Sequence, residues 1–395
     1  MKKRIAKVCA LALIGAMTLT ACGKSEDNGK TEDGKTKIRF ATWDVADDID
    51  YQQEFVDEFN ASQDKIEVTL EAYGSEFDTK IAAGMGAGDA PDVMYMWNYP
   101  AYYQGLETMD EWIEKEGGDE FKSQFSETLW DYNSFDGQTY GIPVGFATHA
   151  LFYNKDIFAE AGLEEPTGDW TWEDLQKAAK TISEKTDAKG FAFQMKPDPY
   201  DFEMYLWSNG TAYCDEEGNL DGYLNSDKSK EVFQMFQDMQ KEGYAIATEK
   251  NGTDEFRSGQ VAMYVCATWP LESLKADGMN YGVAKIPSFG EEPSVSILSS
   301  SGISISKDCK DKEAAWEFVK FYCKKGYDKA HSEMEGKGDE AFLEMLDQSA
   351  GHTPASFIIE DWSEISETLS LAFEEVFNPS SLKDVSEALD AAAKQ

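Results

Sequence analysis

From Lys37 to Met96 the chain alternates short apolar runs with amphipathic stretches, and no other feature restricts the fold as much. Lys37-Ile38-Arg39-Phe40-Ala41-Thr42 reads as a strand. Asp47 to Asn60 repeats Tyr51, Phe55, Val56 and Phe59 at helical spacing. Ile66–Leu70 is a second strand, Phe77–Met85 a second helix and Val93–Met96 a third strand. This βαβαβ order requires a mostly parallel sheet covered by helices. The glycine cluster between Gly84 and Gly88 lacks the GK[ST] ending of a phosphate loop and precedes a strand, so it is a helix-end loop. A length of 395 residues exceeds what one core usually supports, which makes two lobes the default.

The stretch GQTYGIPVGFATHALFYNKDIF, Gly137 to Phe158, then decides how two lobes would be joined. It holds two strand-like runs, Tyr140–Val144 and Ala150–Tyr153, linked by the small residues Gly145-Phe146-Ala147-Thr148. Without a tight-turn dipeptide between them, they form either one hairpin or a crossing from lobe to lobe. The strand–helix repeat already completed upstream favours the crossing. Asp156 is the expected N-cap of a short helix around Ile157–Ala161.

Downstream, Thr171 and Asp174 fit a capping box ahead of a helix running to about Lys185. Phe191–Phe193 is a strand, Tyr200–Ser208 an aromatic-rich helix, and Glu231–Met239 another helix. Asp215 to Asp221 has the composition of a calcium loop without its ligand spacing, so a hairpin turn is expected there. Val261–Val265 should return toward the first lobe, and Ser299–Ser306 reads as a small-residue strand under a cleft. Ala314, Ala315, Phe318, Val319 and Tyr322 form a helical stripe, and the remainder is helical.

The N-terminus carries Lys2-Lys3-Arg4, an apolar segment Val8–Leu19 too short to be a usual membrane span, and then Leu19-Thr20-Ala21-Cys22. That order matches a lipoprotein signal, with Cys22 lipidated after cleavage and residues 23–36 forming a flexible tether. The expected location is the outer face of the cell membrane. The net charge is -39, and loss of the signal would make it more negative by its four cations. Such a surface repels nucleic acid and anionic lipid. Beyond Arg4 only Arg39 and Arg257 remain, so a guanidinium fork for phosphate or carboxylate ligands is hardly available. Cys214, Cys266, Cys309 and Cys323 show no metal-binding spacing, and buried free thiols are favoured over a disulfide. No metal site or cofactor is expected.

Ten Trp and eighteen Tyr in an acidic chain point to a sugar, whose ring faces stack on aromatics while its hydroxyls bond carboxylates and amides. The candidates lie after strands, where a doubly wound sheet opens its ligand crevice. They are Trp43 and Asp44, then Trp97, Asn98 and Tyr99, then Asp198 and Tyr200 with Trp207 further along the same helix. Trp269, Trp362 and Ser301 complete the set. For each aromatic the competing role is core packing, the role assigned to Trp112, Trp130, Trp170, Trp172 and Trp316. A glycosidase would need a carboxylate pair, and 75 acids supply some pair by chance. No GxSxG, HExxH, P-loop or Rossmann fingerprint occurs, and His149 alone reads as structural. No enzymatic activity is expected, and a receptor for a cation such as a polyamine is the main alternative.

Leu151-Phe152-Tyr153-Asn154-Lys155-Asp156, the Gly-Asp-Ala-Pro-Asp-Val run at 88–93 and FRSGQVAMYVCATWP at 256–270 together resemble the extracellular solute-binding proteins of ABC sugar importers, of maltodextrin-binding type. The resemblance covers about Lys37 to Lys394. It implies an α/β, two-lobed periplasmic-binding-protein-like fold with a three-crossing hinge and a ligand cleft between the lobes. The crossings are expected near Val144–His149, Val265–Trp269 and Ser301–Lys307. The lobes are then 37–145 plus 268–305, and 146–267 plus 306–395 with the closing helices. Sugar contacts are implied for Trp43, Asp44, Trp97, Asn98, Tyr99, Asp198, Tyr200, Trp269 and Trp362. The implied partners are a mono- or oligosaccharide and the permease subunits of an ABC transporter, with the membrane reached only through the lipid and the chain acting as a monomer. The sequence departs from the pattern in having no charged residue after Trp97, and in carrying His149 where the hinge can be acidic.

Overall fold

The computed structural model describes residues 30–394 apart from residues 32, 46, 291, 336, 337 and 350. The signal, the Cys22 lipobox and most of the tether lie outside the described residues. Twelve strands occur among the described residues. They are β1 (Thr36–Thr42), β2 (Ile66–Ala72), β3 (Val93–Met96), β4 (Ser134–Phe135), β5 (Gln138–Thr139), β6 (Ile142–Thr148), β7 (Ala150–Asn154), β8 (Lys189–Gln194), β9 (Ala245–Thr248), β10 (Val261–Cys266), β11 (Tyr281–Ala284) and β12 (Leu298–Ile305).

Ten of them form two five-stranded sheets, β2-β1-β3-β12-β6 and β11-β7-β10-β8-β9, and β4 and β5 make a separate small hairpin. In the first sheet β1 runs parallel to β2 and β3, while β12 is antiparallel to β3 and β6. Alternation along β1 puts Ile38 and Phe40 on one face, against Phe55, Val56 and Phe59 of the helix Asp47–Ser62. Ala41 sits on the opposite face with Phe77, Ile81, Met94 and Met96. Both faces are therefore covered, as a largely parallel sheet requires. The second sheet buries all five residues of β7 between β10 and β11. Its helix Trp172–Lys185 opens with the expected capping box, Thr171 Oγ1 accepting from Asp174 N and Asp174 Oδ2 from Thr171 N. The helix Lys155–Ala161 is capped by Asn154, whose Oδ1 accepts from Asp156 N and Ile157 N, and not by Asp156. The asparagine wins because it is the last extended residue, with φ -90° and ψ 110°, whereas Asp156 is already inside the helix.

The chain passes between the sheets at His149, between β6 and β7, within the span expected for the first crossing. The other two crossings lie elsewhere than expected. β10 stays in the second sheet, paired with β7 and β8, and β11 follows it there, so the passage to β12 occurs over residues 285–297. After β12 the helix Lys312–Met334 lays Ala315, Phe318, Val319 and Tyr322 against Phe40 and Phe59 of the first sheet. The return to the second sheet follows Met334. Residues 271–284 thus pack with the second lobe and 312–334 with the first, the reverse of the expected division. An apolar run such as Val261–Val265 specifies a strand but not which sheet it joins, because partner choice is set by neighbours remote in sequence. The segment 215–221 is also not a hairpin. It is a turn closed by Asp215 Oδ1, which accepts from Glu217 N and Asn219 N, with no strand on either side. One apolar cluster, with Phe146, Leu298, Phe152, Tyr264 and Phe342, binds the two sheets to each other at the hinge.

Cys214, Cys266, Cys309 and Cys323 are buried free thiols. No helix among the described residues is long and apolar enough to cross a membrane.

Candidate ligand-binding cleft

The first-lobe wall is assembled from the ends of β1 and β3 and the middle of β12. Trp43, directly after β1, is half-buried and stands edge-on to Tyr95 (centroids 4.6 Å) and Phe77 (5.4 Å). Asp44 accepts a hydrogen bond from Gln52 Nε2. Ser301 Oγ donates to Tyr95 Oη at 3.2 Å, so Trp43, Tyr95 and Ser301 form one contiguous patch. Trp97 follows β3 and is 51% exposed. Asn98 is engaged in capping the next short helix, its Oδ1 accepting from Ala101 N. Tyr99 is a correction. It is fully buried and donates from Oη to Asn133 Oδ1 at 2.7 Å, a core position that removes it from the binding set.

The second-lobe wall begins at the helix Pro199–Ser208. Proline at its first turn and Asp198, whose Oδ1 accepts from Tyr200 N at 2.9 Å, fix where that helix starts. Tyr200 donates from Oη to the Leu298 carbonyl at 2.7 Å and so ties this helix to the start of β12. Trp207, another correction, is 6% exposed and lies against His352, because its position on the helix faces the second-lobe core. Trp362 is half-buried against the same core and is not part of the pocket described next.

Trp269 follows β10 and is 57% exposed, at the mouth of a pocket of about 70 Å³. His149, Asp198, Asp201, Gln194 and Asn251 contribute its polar lining. The His149 ring meets Trp269 edge-on at 5.7 Å, and its Nε2 looks toward Asp201 Oδ1 at 3.9 Å. Burial pushes the His149 imidazole down to about 4, so it is neutral at pH 7. Desolvation in the concave wall, with Asp198 adding to it, pushes the Asp201 carboxyl up to about 7. No Lys or Arg lines the pocket. Arg39 is instead bidentate to Glu71 (2.8 and 3.1 Å), and Arg257 binds Asp277.

The structure thus brings Trp269 and Asp198 together in one pocket, and Trp43 and Ser301 together against Tyr95 in the first lobe, with Asp44 held by Gln52. Gln52, Tyr95, Gln194, Asp201 and Asn251 were not anticipated as members. Asp201 was findable, because Asp198 and Asp201 stand three apart at a helix start and so share a face. The others come from strand or helix positions whose side chains read equally as packing.

The fold matches solved structures of two-lobed binding proteins. The cyclic alpha-maltosyl-1,6-maltose binding protein from Arthrobacter globiformis superposes with a TM-score of 0.78 at 20% identity, over 91% of this chain and 98% of that one. In sequence, the diacetylchitobiose binding protein DasA of Streptomyces coelicolor is 25% identical, over 92% of this chain and 91% of its own length. The sn-glycerol-3-phosphate-binding periplasmic protein UgpB of Escherichia coli is 26% identical, over 67% of this chain and 64% of its own. The family model described as bacterial extracellular solute-binding protein matches residues 54–338, well over half of the sequence, and the chain belongs to that family.

Proposed function

We propose that this chain is a carbohydrate receptor of an ABC importer, which binds a mono- or oligosaccharide between its lobes and passes it to a membrane permease without chemical turnover. The observation that carries the reading is Trp269, an indole left 57% exposed at a pocket whose polar lining is carboxylate, amide and neutral imidazole. An apolar face beside hydrogen-bond acceptors suits a sugar ring and its hydroxyls. The two described arginines, the groups a phosphate ester would need, are committed to Glu71 and Asp277. DasA and the Arthrobacter protein, which bind saccharides by name, support the same choice.

Trp43, Asp44, Trp97, Asn98, Asp198, Tyr200, Trp269, Ser301 and Trp362 remain the proposed contacts. Ligand bound to both walls favours the closed arrangement by its differential affinity for it. Cys22 carries the lipid that holds this monomeric receptor at the outer face of the membrane. A thermal-shift screen against a glycan library tests the reading, because a ligand at 100 times its dissociation constant adds about 2.7 kcal/mol of stability. A shift with sugars and none with sugar phosphates or polyamines is expected. Stabilisation by glycerol phosphate or spermidine alone would overturn it.

A further inference from the structure

The pocket beside Trp269 has a polar rim and an apolar floor. Asp198 and Trp269 are exposed at the rim, whereas Phe193, Phe202 and Phe236 are buried among the deeper lining. The rings of Phe193 and Phe202 stand 5.2 and 5.6 Å from that of Phe236 and close the floor. A sugar hydroxyl driven onto these rings would give up its water and find no partner there. The pocket is also too large for one. At roughly 15 Å³ for each water-sized group, its volume of about 70 Å³ holds about five non-hydrogen atoms. A hydroxyl fills one of those places, and an acetamido group, with its nitrogen, carbonyl and methyl, fills four.

The two side-chain amides of the lining differ in a way that bears on the same choice. Asn251 is committed at both ends, Nδ2 donating to Cys266 Sγ at 3.1 Å and Oδ1 accepting from Thr253 N and Thr253 Oγ1. Gln194, at the end of β8, makes no side-chain hydrogen bond among the described residues. With no partner to fix it, this amide can turn its Nε2 toward whatever enters. Ionised Asp198 and Asp201 only accept. The pocket thus offers an apolar floor, a side-chain amide donor and carboxylate acceptors, and a secondary amide bearing a methyl group answers all three.

We infer that the pocket takes the acetamido group of an N-acetylated sugar, with Gln194 as the residue that selects it. The ligand is then an N-acetylhexosamine or an oligosaccharide containing one. This rests on the carbohydrate reading and narrows it. Trp269 covers the ring face, the methyl meets Phe202 and Phe236, the carbonyl accepts from Gln194 Nε2, and the N–H donates to a carboxylate at the rim.

The test is calorimetric titration at pH 7 with matched pairs: N-acetylglucosamine and glucose, N-acetylgalactosamine and galactose, diacetylchitobiose and cellobiose. In at least one pair the acetamido member should bind about tenfold more tightly or better, as expected where a buried donor and an apolar floor are both matched. Gln194→Met keeps the length of the side chain and removes its donor. It should cut that preference severalfold, with the affinity of the hydroxyl member and the unliganded melting temperature nearly unchanged. Val265→Leu, which narrows the pocket without touching its polar lining, should cut the preference as well. Hydroxyl members that bind as tightly as their acetamido partners in every pair, or a preference left unchanged by either variant, would overturn the inference and leave the carbohydrate reading standing. If no sugar of any pair binds, both fall.

Discussion

An indole that keeps 57% of its surface in solvent, beside a pocket rather than in a core, contributes little to folding because little apolar area leaves water when the chain folds. Trp269→Ala should therefore change the unliganded melting temperature by only about 1 °C, against the roughly 3–5 kcal/mol lost when a core Trp is truncated. Sugar affinity should fall about thirtyfold or more, near 2 kcal/mol, if the ring face is the main platform. A large melting loss with wild-type affinity would transfer the stacking role to Trp97 or Trp43. A second residue speaks through pH. Glu203 is 1% exposed, accepts from Ala355 N at 3.0 Å, and is raised to about 8 by burial. Its folded-state value lies above the unfolded one, so its contribution is fully present below about 4.3 and is lost as pH rises through about 8. Glu203→Gln keeps an oxygen for Ala355 N but cannot ionise. Melting curves of this variant should match wild type near pH 5 and lie higher at pH 8.5, by roughly 2–4 °C for each kcal/mol recovered. A variant less stable than wild type at pH 8.5 would mean that Glu203 is folded as a carboxylate.

Among the elements, β12 explains why a run as plain as Ser299-Ser300-Ser301-Gly302 sits in the middle of the molecule. It pairs with β3 on one side and β6 on the other, with a register shift between Ser301 and Gly302. A Cβ on Gly302 would lie 2.1 Å from Asn133 Oδ1 and 2.6 Å from Tyr99 Oη, two buried atoms bonded to each other. Asn133 also donates to Ser300 Oγ and the Leu129 carbonyl, so displacing it disturbs three bonds. Gly302→Ala should destabilise the protein by about 2 kcal/mol or more, through crowding and the unpaired polar groups it leaves. A wild-type urea midpoint would refute that account. Small residues at these positions were legible as a strand, and so were β1 to β3, because periodicity is a local property. The βαβαβ order and the capping box at Thr171 carried through for the same reason. The second and third crossings were not legible: β10 and the helix Lys312–Met334 choose their sheets through Tyr153, Phe191, Phe40 and Phe59, far away in sequence. Trp97 and Trp269 follow β3 and β10 and are exposed, and their place after strands is what singled them out as candidates. Tyr99, two residues from Trp97, turned inward to Asn133, and nothing in its own neighbourhood announced that partner.

For the whole molecule, the net charge of -39 sets how the receptor meets its ligands. Uniform acidity repels anions at long range, and the two described arginines are occupied on the surface by Glu71 and Asp277. Neutral sugars bind through stacking and uncharged hydrogen bonds, which ions barely screen. Their affinity should stay within about twofold between 0.01 and 0.5 M salt, a range over which the Debye length falls from about 30 Å to below 8 Å. A cationic sugar gains both from the pocket carboxylates and from the surrounding field, so its affinity should fall as salt rises, and its association rate should fall with it. Sugar phosphates and glycerol phosphate should bind weakly at any salt, because high salt removes the repulsion without supplying the missing guanidinium. Titrating one member of each class at several salt concentrations separates these cases. Tight binding of a phosphate ester that collapses on adding salt would place an unrecognised cation in the cleft. It would then align this receptor with its glycerol-phosphate-binding relative and not with its saccharide-binding ones.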